Sequence, residues 1–132
     1  MDLDEAPEQQ CHFTFLLIDQ NPEDVSLIRT LFERGGDCQV HAVADCQLAF
    51  DYLTGEGLYA DRTLYPIPSL ILLDLTRQSF EFLQWLRQGA APRLRSLPVA
   101  LLSTTATPDD VEITRRLGVN SWLLKPEKAL AA

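Results

Sequence analysis

Four apolar stretches of this chain each end in side chains that could do chemistry. The polar residues that follow them are Asp19 with Gln20, Asp74, Ser103 with Thr104, and Lys125. Carboxylates hold a divalent cation through hard oxygen atoms, whereas a hydroxyl and an ammonium group bind the oxygens of a phosphoryl group. If the fold gathers these groups, the chemistry they suit is the metal-assisted handling of a phosphoryl group.

The stretch before Asp74 is the most informative of the four. Residues 69–75 read Ser-Leu-Ile-Leu-Leu-Asp-Leu, a continuous rather than alternating apolar run. Such a run predicts a strand buried on both faces, as in a parallel sheet flanked by helices, where an acid is tolerated only at the end. Strand ends in these sheets are where chemistry is located. An isolated strand-end Asp more often caps the next helix or begins a turn, so a functional role for Asp74 depends on its companions.

Strand-like and helix-like stretches alternate along the chain. The predicted strands are residues 12–18, 39–44, 69–75, 98–103 and 121–124. The predicted helices begin after the capping residues Asn21, Asp45 and Thr107 and, for the third helix, near Ser79. This alternation predicts an α/β fold with a doubly wound, five-stranded parallel sheet. Because the loops that follow parallel strands leave at one edge, the polar strand-end residues should meet there.

Composition narrows the class of protein. A chain of 132 residues predicts one domain, residues 12–132, preceded by a flexible acidic tail, residues 1–11, which lacks the features of a secretory signal. The net charge of −8 and the scattered basic residues argue against a nucleic-acid or membrane-surface partner. Three cysteines without a CxxC pair predict reduced thiols in a cytoplasmic protein.

The chain resembles the receiver domain of two-component response regulators over residues 13–126. The motifs that carry the resemblance are Asn-Pro-x-Asp at 21–24, Gly-x-Tyr-Ala at 57–60, Leu-Leu-Asp-Leu at 72–75, the strand-end Ser103, and Lys-Pro at 125–126. Each motif alone is weak, but their order and strand context agree. The resemblance implies the flavodoxin-like receiver fold.

The resemblance also implies a role for each candidate site residue. Asp74 is the expected phosphoacceptor, Ser103 the switch hydroxyl, Lys125 the phosphate-binding lysine and Trp122 the switch aromatic residue. The expected Mg²⁺ ligands are Asp19, Gln20, Asp74 and the backbone carbonyl of Thr76, and Thr76 and Thr105 are expected to tune hydrolysis. The expected activity is phosphoryl transfer from a phosphohistidine to Asp74, with no enzymatic turnover beyond self-catalysed phosphotransfer and dephosphorylation.

The implied partners are a sensor histidine kinase or phosphotransfer protein, a downstream protein, and a second copy in a homodimer. No DNA-binding or enzymatic output domain is expected.

Several residues depart from the family pattern. Gln20 stands where the family has the acid that ligates the metal, so weaker Mg²⁺ binding is expected. Gln78 and Phe82 replace the usual Pro and Gly after the phosphoacceptor, and Phe82 is expected to reshape that loop. Only residues 127–132 follow Pro126, so a fifth helix is expected to be short or missing.

Two alternatives stay open. These departures favour a degenerate receiver that works as a phosphate-independent interaction module. A flavodoxin-like cofactor binder or phosphohydrolase is more distant, because no glycine-rich phosphate loop follows the first strand and no second Asp lies at Asp-x-Asp spacing from Asp74. Singly, each candidate site residue also has a structural explanation, and only their joint placement favours a site.

Overall fold

The computed structural model describes residues 13–103 and 107–125. Within these residues, five parallel strands form one sheet in the order β2-β1-β3-β4-β5. The strands are β1 (Phe13–Ile18), β2 (Cys38–Val43), β3 (Leu70–Asp74), β4 (Val99–Ser103) and β5 (Ser121–Leu124). The predicted α/β fold is confirmed, with small shifts at the strand ends. The predicted tail, Thr105, and residues 127–132, where a fifth helix is expected to be short or missing, lie outside the described residues.

Four helices follow the first four strands in this part of the chain: α1 (Pro22–Glu33), α2 (Cys46–Thr54), α3 (Ser79–Gln84) and α4 (Pro108–Arg116). The predicted caps are confirmed. The Asn21 side chain accepts from the backbone N–H groups of Glu23 and Asp24, and Asp45 accepts from Leu48. Thr107 forms a reciprocal capping box with Asp110. Each cap fixes where a helix starts relative to the strand before it.

The central strands are buried on both faces, as their continuous apolar runs predict. On one face, Leu16 and Leu73 pack in a cluster with residues of α2 and α3. On the other, Leu17 and Leu72 pack against Ile28 of α1. All five side chains are at most 1% exposed. The sheet is therefore a rigid middle layer whose carboxyl edge carries the polar strand-end residues.

The segment after α3 contains two further helical turns. The helix continues as a π-helical turn, Trp85–Gly89, and a further helical turn follows at Pro92–Arg95. Arg87 ties this region together by donating hydrogen bonds to the carbonyls of Leu97 and Gly118. These bonds are long-range in sequence, so local patterns could not reveal them.

The loop between α2 and β3 contains a 3₁₀ turn, Gly57–Ala60. Three tyrosine rings pack on one another beside it, those of Tyr52, Tyr59 and Tyr65. The Tyr52 hydroxyl donates to the carbonyl of Pro66, and the Arg62 guanidinium donates to the carbonyls of Tyr52 and Leu53. This loop is therefore a packed segment despite its length.

Phe82 occupies a packed position on α3. Its side chain is 5% exposed, and its ring lies 5.9 Å from that of Trp85, which in turn lies 4.7 Å from the ring of Phe50 on α2. An aromatic side chain here fills space between α2 and α3. None of the helices in residues 13–103 and 107–125 has both the length and the apolar character needed to cross a bilayer.

Replacing Phe82 by Ala should lower the free energy of unfolding by about 3–5 kcal/mol, because it leaves a cavity between α2 and α3. Chemical denaturation measures the change. Phe13→Ala is the control, since Phe13 is 50% exposed and should lose far less. Equal effects of the two substitutions would contradict the packing role of Phe82.

Candidate functional site

Three of the strand-end residues meet at the carboxyl edge of the sheet. Asp19 directly follows β1, Asp74 ends β3, and Lys125 directly follows β5. The Lys125 Nζ lies 3.0 Å from Asp19 Oδ2 and 2.9 Å from Asp74 Oδ1. Parallel strands bring residues that are distant in sequence to one edge, so this convergence follows from the topology.

A third carboxylate, that of Asp24, completes the group. The Lys125 ammonium donates a hydrogen bond of 3.0 Å to Asp24 Oδ2. Asp24 lies in the first turn of α1 and is the acid of the Asn-Pro-x-Asp motif, but the sequence predicted no site role for it. A signal was available, because Asp24 precedes Ile28 by four residues and so shares the buried face of the helix. We call Asp19, Asp24 and Asp74 around Lys125 the carboxylate cluster.

The carboxylate cluster is largely shielded from water. The side chain of Lys125 is 9% exposed, and those of Asp19, Asp24 and Asp74 are 0%, 12% and 19% exposed. Asp19 Oδ1 accepts from the backbone N–H of Asn21. Asp19 Oδ2 is near the ammonium but makes no hydrogen bond of good geometry within the described residues. Three carboxylates facing one ammonium leave the cluster with excess negative charge and an under-satisfied buried oxygen.

This environment shifts the pKa of both Asp74 and Lys125. Burial raises the pKa of Asp74, and the nearby charges of Asp19 and Asp24 add to that effect, while Lys125 opposes it. Burial lowers the pKa of Lys125, but hydrogen bonds and charge from the three acids outweigh it, so its pKa is above the ordinary value. Lys125 is therefore a permanent cation at neutral pH.

A cavity of about 260 Å³ opens beside the cluster. It is lined by all the residues expected to hold a metal, namely Asp19, Gln20, Asp74 and Thr76. Ser79 fixes the loop after β3, since its hydroxyl accepts from the Thr76 N–H and donates to the Asp74 carbonyl. Ser79 is fully buried, and the sequence predicted it only as the start of the third helix, not as the residue that fixes this loop.

The donor set fits a hard divalent cation, because two carboxylates, an amide and a backbone carbonyl all offer oxygen atoms. Asp19 Oδ2, the under-satisfied buried oxygen, belongs to this set. Among the residues that the structure describes, no three His, Cys, Asp or Glu side chains form a metal-binding group. Asp24, the third acid of the carboxylate cluster, contacts Lys125 but does not line the cavity, and Gln20 lines the cavity without contributing charge.

The remaining predicted site residues lie at the neighbouring strands. Ser103 ends β4, and its backbone carbonyl accepts a hydrogen bond from the backbone N–H of Lys125. Trp122 is half-buried on β5, and its indole N–H donates to the Thr114 hydroxyl of α4 at 2.9 Å. Trp122 therefore contacts α4 rather than the carboxylate cluster.

The chain is similar to known response regulators, although no protein-family model matches it. The probable methanogenesis regulatory protein FilR2 of Methanothrix harundinacea is 33% identical over 129 residues, 96% of this chain and 80% of that protein. The response regulator Rcp1 of Synechocystis sp. is 31% identical over 114 residues, 83% of this chain and 74% of that protein.

The chain is also similar to solved structures of response regulators. The phosphorylated cyanobacterial phytochrome response regulator RcpA matches with a TM-score of 0.77 and 31% identity, over 92% of this chain and 86% of that chain. The Mn²⁺-bound form of response regulator Rcp1 matches with a TM-score of 0.75 and 28% identity, over 90% of this chain and 85% of that chain.

Replacing Asp74 by Asn should stabilise the fold at neutral pH, because it removes one of three acids that share one ammonium. With its pKa raised, Asp74 holds its proton more tightly in the folded protein than in the unfolded chain. Ionisation of Asp74 therefore lowers stability as pH rises from the ordinary value of 3.8 through the raised pKa.

The unfolding midpoint of Asp74→Asn should exceed that of the wild type at about pH 7, and the difference should vanish below about pH 4. The exposed Asp37→Asn is the charge-matched control and should show no such difference. Identical midpoints for the wild type and Asp74→Asn at neutral pH would count against the electrostatic description of the cluster.

Proposed function

This chain belongs to the receiver-domain family of response regulators, and on that premise we propose that it accepts a phosphoryl group on Asp74 from a histidine kinase or phosphotransfer protein. Receivers are signalling proteins rather than conventional enzymes. The observation that carries the proposal is the convergence of Asp19, Asp74 and Lys125 beside one open cavity.

In the proposed reaction, an oxygen of the Asp74 carboxylate attacks the phosphorus of a phosphohistidine. The new O–P bond forms as the N–P bond breaks, and the electron pair returns to the imidazole nitrogen of the donor. The product is an acyl phosphate. The Lys125 ammonium, already 2.9 Å from Asp74, offsets charge on the transferring group. A bound Mg²⁺ would supply Lewis-acid stabilisation of the charge on the transferring phosphoryl group.

The switch that follows is proposed to run through Ser103 and Trp122. Charge-assisted hydrogen bonds from Ser103 and Lys125 to the phosphoryl oxygens are worth about 1.5–3 kcal/mol each. That energy is enough to bias a two-state loop. Release of the Trp122 indole from Thr114 would then alter the surface of α4 and β5, where a downstream protein or a second copy would bind.

The proposed cofactor is Mg²⁺, held by Asp19, Gln20, Asp74 and the Thr76 carbonyl. The similarity to the Mn²⁺-bound form of Rcp1 and to the phosphorylated RcpA supports the proposal that this chain binds a divalent cation and is phosphorylated. Gln20 keeps an oxygen ligand but removes one charge, so the affinity for the cation is expected to be lower than with an acid there.

A second candidate is a receiver that binds its partner without phosphorylation. The observations that favour it are Gln20, which lines the cavity without supplying a charge, and Gln78 and Phe82, which replace the usual Pro and Gly after Asp74. Calorimetric titration with Mg²⁺ separates the candidates. The interaction module would show no binding, and its affinity for a partner would be unchanged in Asp74→Ala.

Incubation with a small acyl-phosphate donor and Mg²⁺ should add one phosphoryl group to the wild type and none to Asp74→Asn, because only the wild type has the attacking carboxylate. Intact-mass spectrometry measures the adduct. Removal of Mg²⁺ with a chelator should slow its formation. A wild type that gains no mass, or an adduct of equal yield in Asp74→Asn, would defeat the phosphoacceptor proposal.

Gln20→Asp should raise the affinity for Mg²⁺ by about tenfold, because it adds a carboxylate to the cavity that already contains Asp19 and Asp74. Phosphorylation of Asp74 should quicken in parallel. Gln88→Asp is the matched control, since Gln88 is exposed and does not line the cavity. If both substitutions change Mg²⁺ affinity equally, Gln20 is not a ligand position.

A further inference from the structure

We propose that Asp24 is a positioning residue that retains the Lys125 ammonium when a divalent cation enters the neighbouring cavity. The inference rests on the proposed function, because it assigns a role around the same site. It concerns a residue on α1, outside the strand-end positions that form the expected site.

The contact between Asp24 and Lys125 is well defined. It is a hydrogen bond of 3.0 Å between side chains that are 12% and 9% exposed. The backbone of Asp24 is fixed by the cap of α1, since the Asn21 side chain accepts a hydrogen bond from the Asp24 N–H. Lys125 reaches it from the far end of the chain, 101 residues later. A shielded, directional bond between a residue of α1 and the residue directly after β5 fixes where the ammonium lies.

The positions of the three acids divide their roles. Asp19 and Asp74 both line the cavity and both contact the ammonium, whereas Asp24 contacts the ammonium and is not part of the cavity lining. A cation in the cavity would draw on the oxygens of Asp19 and Asp74 and repel Lys125. Asp24 is the partner that the lysine keeps in that state.

This arrangement lets one site hold two positive groups at the same time. Without Asp24, a cation and Lys125 would compete for the same two carboxylates, and binding the first would leave the second buried without an anion. With Asp24, the lysine stays next to Asp74, where it is needed for phosphoryl transfer. Asp24 thus separates the lysine side of the site from the metal side.

The hold on Lys125 can be measured without phosphorylation. The chain contains two lysines, Lys125 and Lys128, so selective ¹⁵N-lysine labelling gives two side-chain signals, and Lys125→Met assigns them. Hydrogen exchange at Lys125 Nζ is measured in the wild type and Asp24→Asn, each with and without Mg²⁺. Glu23→Gln is the control, because it removes the same charge from an exposed position on the same turn.

In Asp24→Asn, exchange at Lys125 should be about tenfold faster than in the wild type when Mg²⁺ is present, and only about threefold faster without it. Glu23→Gln should match the wild type in both conditions. The proposal is overturned if Asp24→Asn exchanges at the wild-type rate, or if its increase is the same with and without Mg²⁺, since that result indicates general loosening of the fold.

A coupling measurement separates this inference from the proposed function. In the Lys125→Met background, Asp24→Asn should change Mg²⁺ affinity by less than about twofold, although it weakens binding about tenfold when Lys125 is present. Equal effects in both backgrounds would overturn the positioning role. If the wild type gains no phosphoryl group but this coupling between Asp24 and Lys125 is observed, the phosphoacceptor proposal fails and the positioning role of Asp24 stands.

Discussion

One ammonium group shared by three carboxylates holds the functional edge of this molecule together. Lys125 joins the ends of β1, β3 and β5 to the first turn of α1, through Asp19, Asp74 and Asp24. No other ion pair in the described chain connects so many elements. The polar edge of an otherwise apolar sheet therefore depends on a single side chain.

The same interaction leaves the edge electrostatically unbalanced. Burial and the charges of Asp19 and Asp24 disfavour an ionised Asp74 more than Lys125 favours it, so the pKa of Asp74 is raised. A buried oxygen of Asp19 is also left without a good hydrogen bond. Such an arrangement is costly for stability, because partly paired buried charges lose their hydration. It suits a site that recruits a cation and then a phosphoryl group, since each arrival changes the balance around Lys125. Partly buried charged groups with shifted pKa values are typical of functional sites.

Much of this arrangement was predictable from sequence. Continuous apolar runs identified the buried strands, and the rule that parallel strands share a carboxyl edge placed Asp19, Asp74 and Lys125 together. Asp24 was missed because an acid in the first turn of a helix already has a sufficient explanation in the helix dipole. The π-helical turn after α3 depends on contacts that are remote in sequence, such as those of Arg87, and no local pattern encodes them.

The most direct test of this account is the unfolding free energy of Lys125→Met at neutral pH, measured with and without Mg²⁺. Removing one partner of a buried ion pair costs about 3–5 kcal/mol, so the variant should be less stable than the wild type by that amount. Mg²⁺ should recover much of the loss, because a cation can neutralise the carboxylates left behind. A variant as stable as the wild type, or one that Mg²⁺ does not help, would contradict the central role of Lys125.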